Sequence, residues 1–158
     1  ETGEFVIKGE TIMKEYYRKP EETQKTFSDG WLLTGDLATI DEDGYITIVD
    51  RKKDMIISGG ENVYSVEVEQ VLNSHPLVLE AATIGVPDEK WGEMVAAIIV
   101  SKNGEPIDEE EVQLYCKDRL AGYKIPKKFF YSDVLPRNAS GKILKYQLRE
   151  SFNQEVVT

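Results

Sequence analysis

The twenty residues from Asp50 to Glu69, DRKKDMIISGGENVYSVEVE, divide the chain. Asp50-Arg51-Lys52-Lys53-Asp54 is a dense charged run between two apolar strands, the composition of a solvated linker. Met55 to Ile57 reads as a short strand that stops at Ser58-Gly59-Gly60, where glycines let backbone come close to a ligand or another segment. A helix follows over about Ser65 to Ser74. Ser65 is placed to cap it, and Glu67 and Glu69 fall where the positive end of the helix dipole favours carboxylates. Val68, Val71 and Leu72 form its apolar stripe, and Pro76 stops it.

Upstream, the chain reads as β. Glu4 to Lys8 alternates around Phe5 and Ile7, and Pro20 with the polar stretch Glu21 to Lys25 makes a short helical turn. Asp29-Gly30 is a turn signal before a strand that begins at Trp31. Asp41-Glu42-Asp43-Gly44 is a tight acidic turn, so Leu37–Ile40 and Tyr45–Val49 are expected to pair as a hairpin. No helix here is long enough to cover these strands, and uncovered strands cannot bury a core. Residues 1–49 therefore read as the last strands of a larger domain.

Downstream, Leu77 to Val86 and Met94 to Val100 are apolar and β-branched, the pattern of strands buried on both faces. Asp108 with Glu111 three residues later is a capping pattern. Val112, Tyr115, Cys116 and Leu120 line one helix face behind it. Phe129 to Tyr131 is a short strand and Leu144 to Phe152 a final helix. The expected fold is α+β: a β segment over residues 1–49, then a small α/β domain over residues 50–158. That domain has a roughly three-stranded sheet covered by helices and is large enough for its own core.

The 158 residues carry a net charge of −10, distributed as −7 over residues 1–50, −8 over 51–118 and +5 over 119–158. An acidic surface argues against a nucleic-acid partner, which needs a basic face to neutralise phosphates. The basic last segment suggests a local anion site, or simply a basic end on a solubilising acidic surface. Cys116 is the one cysteine and has no partner for a disulfide, so a reducing cytoplasm is expected. The longest apolar run, Met94 to Val100, is far short of a bilayer span. No signal peptide is recognisable. The chain opens on Glu1 rather than Met, as a processed or excised polypeptide would.

Taken singly, the chemical signals have bland readings. Ser140-Gly141-Lys142 resembles the end of a phosphate-binding loop. The match fails, because Pro136 stands where glycine is required and Ile143 follows the lysine. What remains is Lys142 on a flexible loop, Pro136 to Gly141, and a lone lysine there is ordinarily a solvated side chain. Asp36 in Thr34-Gly35-Asp36 is by itself a turn residue, and a lone Arg51 is unremarkable. His75 reads as a helix-end histidine without the context of a hydrolase triad. Cys116 reads as core. No His/Cys cluster has metal-ligand spacing, so no metal ligand is assigned.

Order and spacing say more. Thr34-Gly35-Asp36, then Asp50 to Glu69, then Pro136-Arg137-Asn138-Ala139-Ser140-Gly141-Lys142 resemble the last motifs of the adenylate-forming superfamily. This family holds acyl- and aryl-CoA synthetases, adenylation domains of peptide synthetases, and firefly luciferase. The middle stretch looks most like fatty-acid–CoA and aryl-acid–CoA ligases. The resemblance covers nearly the whole chain. It implies the C-terminal part of a two-domain ligase that uses ATP and Mg2+, both held mainly by a larger N-terminal domain, and CoA as co-substrate. Residues 50–158 would be its mobile lid.

The resemblance also implies roles. Asp36 and Arg51 would bind the ribose of the nucleotide. Lys142 would be the catalytic lysine between ATP phosphate and substrate carboxylate, and Lys53 the hinge. Gly59 and Gly60 would line the pantetheine tunnel. Trp91 and Tyr123 would stand near the CoA adenine, with Lys124 and Lys127 near its phosphates. The expected partners are the N-terminal domain, ATP or AMP, CoA and a carboxylic acid, with peripheral membrane contact if the acid is a long-chain lipid. Two alternatives stay open: a lid that loads a carrier protein or serves a luciferase-like enzyme, and a binding module that has lost catalysis.

Overall fold

The computed structural model describes residues 1–156, and the side chains of residues 1–152. The chain divides into two compact units, Glu1–Lys53 and Asp54–Thr158. This boundary lies beyond the one read from the sequence at 49/50. The strand that was to end at Val49 continues to Arg51, so Asp50 and Arg51 belong to the first unit.

The first unit is built on one long strand. β1 (Thr2–Ile7), α1 (Pro20–Thr26) and β2 (Phe27–Ser28) precede β3 (Trp31–Ile40) and β4 (Ile46–Arg51). β1 pairs antiparallel with β3 along one edge, while β2 and β4 pair with opposite ends of its other edge. The expected hairpin forms, with Ile40 opposite Ile46. Its turn is held by Asp41, whose Oδ1 accepts from the N–H groups of Asp43 (3.0 Å) and Tyr45 (2.8 Å), and Gly44 takes a φ of +85°. The thin cover expected from the sequence is visible in the burial. Only Leu37 and Ala38 are buried apolar side chains among the described residues of this unit, and Ile40, Ile46 and Ile48 are 63%, 51% and 51% exposed.

The second unit contains β5 (Ile56–Ser58), β6 (Glu61–Val63), α2 (Ser65–Asn73), β7 (Val78–Asp88) and β8 (Gly92–Ser101). After these come α3 (Glu109–Lys117), a 3-10 turn over Gly122–Lys124, β9 (Lys128–Tyr131) and α4 (Lys145–Val156). Its sheet has five strands rather than about three. β6 folds back on β5, and β8 is shared by β7 on one edge and by β5 and β9 on the other. β9 runs parallel to β8 and the other pairs are antiparallel.

β8 shows why a continuous apolar run can be one strand. Val95, Ala97 and Ile99 face a cluster with Val68 and Leu72 of α2 and Val112 and Cys116 of α3. Ala96, Ile98 and Val100 face the opposite cluster with Leu148 of α4. Alternate side chains point to opposite faces, so helices on both faces demand apolar residues throughout. The free edge of β7 is covered by α2. Asn73 Oδ1 accepts from the Ala81 N–H and Glu69 Oε1 from the Thr83 N–H, both at 2.8 Å.

One local expectation is corrected and another holds. Ser65 does not cap α2. Tyr64 occupies the cap position without a side-chain bond, and Ser65 is buried, its hydroxyl accepting from Lys145 Nζ at 2.6 Å. Asp108 does cap α3, but its carboxylate accepts from the Glu110 N–H. His75 is buried behind α2, with its ring edge on Tyr115 and its Nε2 3.6 Å from Glu111. It joins α2 to α3. Burial raises the Cys116 thiol to about 11, partly offset by Arg119, which leaves a core thiol and not a nucleophile.

Candidate functional site

In the first unit, β3 carries a bulge at Thr34-Gly35-Asp36. Glu4 pairs with Leu37 and Val6 with Leu33, so three residues of β3 stand opposite Phe5 alone. Gly35 takes a φ of +72°, which glycine adopts without steric cost. The Thr34 hydroxyl donates to the Phe5 carbonyl (2.5 Å) and accepts from the Asp36 N–H (3.1 Å). Glu4 accepts from the Gly35 N–H (3.2 Å) and from Lys52 Nζ (2.7 Å). The bulge thus re-aims Asp36 from a braced backbone.

Asp36 and Arg51 are a cross-strand pair of β3 and β4, with Arg51 Nε 2.6 Å from Asp36 Oδ1. Both side chains are part-exposed, and the second Asp36 oxygen has no partner among the described residues. The pair offers one carboxylate oxygen as an acceptor and one guanidinium edge as a donor, side by side. Lys53 is the last residue of the first unit and is exposed.

In the second unit, Lys142 is the first residue after the turn of a hydrogen-bonded hairpin rather than part of an open loop. The Leu144 N–H donates to the Pro136 carbonyl (2.8 Å), Arg137 bridges Ile143, and the Gly141 N–H donates to the Asn138 carbonyl (2.9 Å). Gly141 has a φ of +84°. Asn at the first turn position and glycine at the fourth is the signature of a type I turn closed by a glycine bulge. The sequence carried this signal in Asn138-Ala139-Ser140-Gly141. Arg137 also donates to the Gly141 carbonyl (2.7 Å) and pairs with Glu80 of β7. Lys142 is exposed, and its ammonium has no partner among the described residues.

Gly59 and Gly60 are the two central residues of the β5–β6 turn, at φ +60° and +86°, the type I′ pattern. The structure brings Gly59 together with Trp91. The Gly59 N–H donates to the Trp91 carbonyl (2.9 Å), and a Cβ on Gly59 would meet the indole at 2.7 Å. Trp91 is 44% exposed, with Lys90 Nζ 4.7 Å from its ring. Tyr123 lies part-exposed on the 3-10 turn. Lys124 is not available as a loose cation: its Nζ lies 2.7 Å from Glu67 of α2 and its side chain is 17% exposed. Lys127 is exposed and reaches the Gly122 carbonyl at 3.4 Å. No group of three or more His, Cys, Asp or Glu stands together as a metal site, and no helix is long and apolar enough to cross a membrane, among the described residues.

Residues 67–142 match the model of the AMP-binding enzyme C-terminal domain, a span that opens at Glu67 and closes on Lys142. The chain is 52% identical over 154 residues to a long-chain-fatty-acid–CoA ligase of Mycobacterium tuberculosis, covering 98% of this chain and 30% of that protein. The chain belongs to the adenylate-forming superfamily. A feruloyl-CoA synthase of Amycolatopsis is 50% identical, over 96% of this chain and 31% of the relative. Among solved structures, o-succinylbenzoate CoA synthetase of Bacillus subtilis with its acyl-adenylate intermediate superposes with a TM-score of 0.87 at 49% identity. That match covers 94% of this chain and 30% of the other. The chain therefore spans about 30% of the length of the relatives it matches. Asp36, Arg51 and Lys142 all fall within these matched lengths, whereas the C-terminal domain model itself begins at Glu67 and takes in only Lys142 of the three.

Proposed function

We propose that this chain forms the C-terminal part of an AMP-forming carboxylic acid–CoA ligase, with a fatty acid as the acid. In the first half-reaction an acid oxygen bonds to the α-phosphorus of ATP, the bond to the β-phosphate bridge breaks, and pyrophosphate leaves. In the second, the CoA sulfur bonds to the acyl carbon, AMP leaves, and the thiol proton passes to solvent. Asp36 accepts from the ribose hydroxyls through its unpaired oxygen, and Arg51 holds it in place and donates alongside. Lys142 meets the two anions that must approach each other in the first half-reaction, where a fixed cation is worth most. Lys53 gives the change of backbone between the half-reactions. Gly59 makes room for the Trp91 indole, and Gly60, with open space where a side chain would stand, lets a thin pantetheine arm pass beside it. Tyr123 and Lys127 are left to face the rest of CoA, since Lys124 is engaged by Glu67.

The observation that supports this reading best is the exposed ammonium of Lys142, without a partner among the described residues, on a residue whose own N–H and carbonyl are both bonded to Asn138. Its test is Lys142→Ala in the full-length enzyme, assayed by ATP–pyrophosphate exchange and by thioester formation from supplied acyl-adenylate. Exchange should be lost and thioester formation largely kept; equal loss in both would remove the role. The acid class rests on similarity to a fatty-acid ligase alongside feruloyl and succinylbenzoate relatives. Pyrophosphate release across fatty acids of rising length and aryl acids tests it, and a preference for aryl acids overturns it.

A further inference from the structure

Both backbone polar groups of Lys142 are held by one residue. Asn138 Oδ1 accepts from the Lys142 N–H at 2.8 Å, and the Asn138 N–H donates to the Lys142 carbonyl at 2.9 Å. The same Oδ1 accepts from the N–H and the hydroxyl of Ser140, at 3.1 and 2.8 Å. Two of these bonds fix the backbone of Lys142 and two hold Ser140 beside it, while the Lys142 ammonium has no partner among the described residues. Arg137 adds a second brace, joining the Gly141 carbonyl to Glu80 on β7.

We infer that the Asn138 carboxamide is a positioning residue for adenylation, acting through Lys142. The inference rests on the adenylating role proposed for Lys142. Asn138 makes no claim on substrate itself. A lysine side chain has four rotatable bonds, so its reach is useful only if its root is fixed. A misplacement of about 1 Å of a reacting group can cost on the order of a hundredfold in rate. The β3–β4 hairpin of the first unit is an internal control for the turn. There Asp41 takes the place of Asn138, accepting from the N–H groups two and four residues on, with Gly44 at positive φ. A carboxylate thus supports this turn as well as a carboxamide does, whereas alanine offers no acceptor.

The experiment uses full-length enzyme with Asn138→Ala, Asn138→Asp and, as reference, Lys142→Ala. Asn138→Ala should lower kcat for ATP–pyrophosphate exchange by about tenfold or more and leave thioester formation from supplied acyl-adenylate unchanged. Asn138→Asp should recover most of the exchange rate. A side chain that merely stabilised the fold would move both half-reactions together. If Lys142→Ala abolishes exchange while Asn138→Ala matches the wild type, or slows both half-reactions equally, the positioning role falls and the proposed function stands. If Lys142→Ala leaves exchange intact, both fall.

Discussion

Lys142, Asp36 and Arg51 each looked like ordinary surface residues one at a time, and only their order along the chain marked them. Asn138 carries no charge and belongs to no recognised motif by itself, yet asparagine and glycine three apart are the ends of a closed turn. Glycines elsewhere carry a graded prediction. Gly59→Ala places a Cβ at 2.7 Å from the Trp91 ring at a φ of +60°, so it combines left-handed strain with a clash. It should destabilise the second unit by about 2 kcal/mol or more. Gly60→Ala, at +86° with nothing within 4 Å, should cost only about 1 kcal/mol. Urea unfolding of the two variants checks the order. Thr83 gives the opposite sign. Its hydroxyl is fully buried with no partner among the described residues, while its N–H is taken by Glu69. Thr83→Val should raise stability by about 1 kcal/mol, and a loss would mean that the hydroxyl has a partner such as ordered water.

At the scale of elements, the helices and long strands followed from periodicity, and the failures share a cause. β6 is three residues long and alternates with nothing, so only its turn, Gly59-Gly60, announced it. Ser65 looked like a cap from its type and place, but the packing of α4 claimed it. Lys145 of α4 lies 2.6 Å from both the Ser65 hydroxyl and Glu69, with side-chain exposures of 11% and 16% for the ion pair. Such a pair, made between residues 76 apart, leaves no local trace in sequence. Arg149, one turn further along α4, pairs with Asp54 at 2.8 Å, so the helix that follows the Lys142 hairpin is tied to the first residue of its unit. Removing one member of a buried pair strands the other charge. Lys145→Met should therefore cost about 3 kcal/mol. Lys52→Ala, which breaks a pair whose lysine is 61% exposed, should cost well under about 1 kcal/mol. Thermal or urea melts of both variants decide it, and equal losses would mean that burial does not separate the two pairs.

At the scale of the molecule, the two units differ in how much core each owns. Among the described residues, twenty-three of the twenty-five buried apolar side chains lie beyond Lys53, in the second unit. Its sheet is covered on both faces, whereas the first unit exposes Ile40, Ile46 and Ile48. The chain by itself should therefore unfold in two steps, and amide exchange should be slowest in β7 and β8 and fast in β1 to β4. The same division bears on catalysis. Lys53 is the residue where one unit ends, and the next residue, Asp54, is buried and paired with Arg149. The rotation proposed between half-reactions would then fall on Lys52 and Lys53, the two residues between the end of β4 at Arg51 and that fixed point. Proline at position 53 would lock its φ and push Lys52 out of the helical region. Lys53→Pro in the full-length enzyme should thus slow thioester formation from supplied acyl-adenylate by roughly tenfold or more while sparing pyrophosphate exchange. An unchanged thioester rate would move the hinge elsewhere. A loss of exchange with thioester formation intact would likewise overturn the prediction.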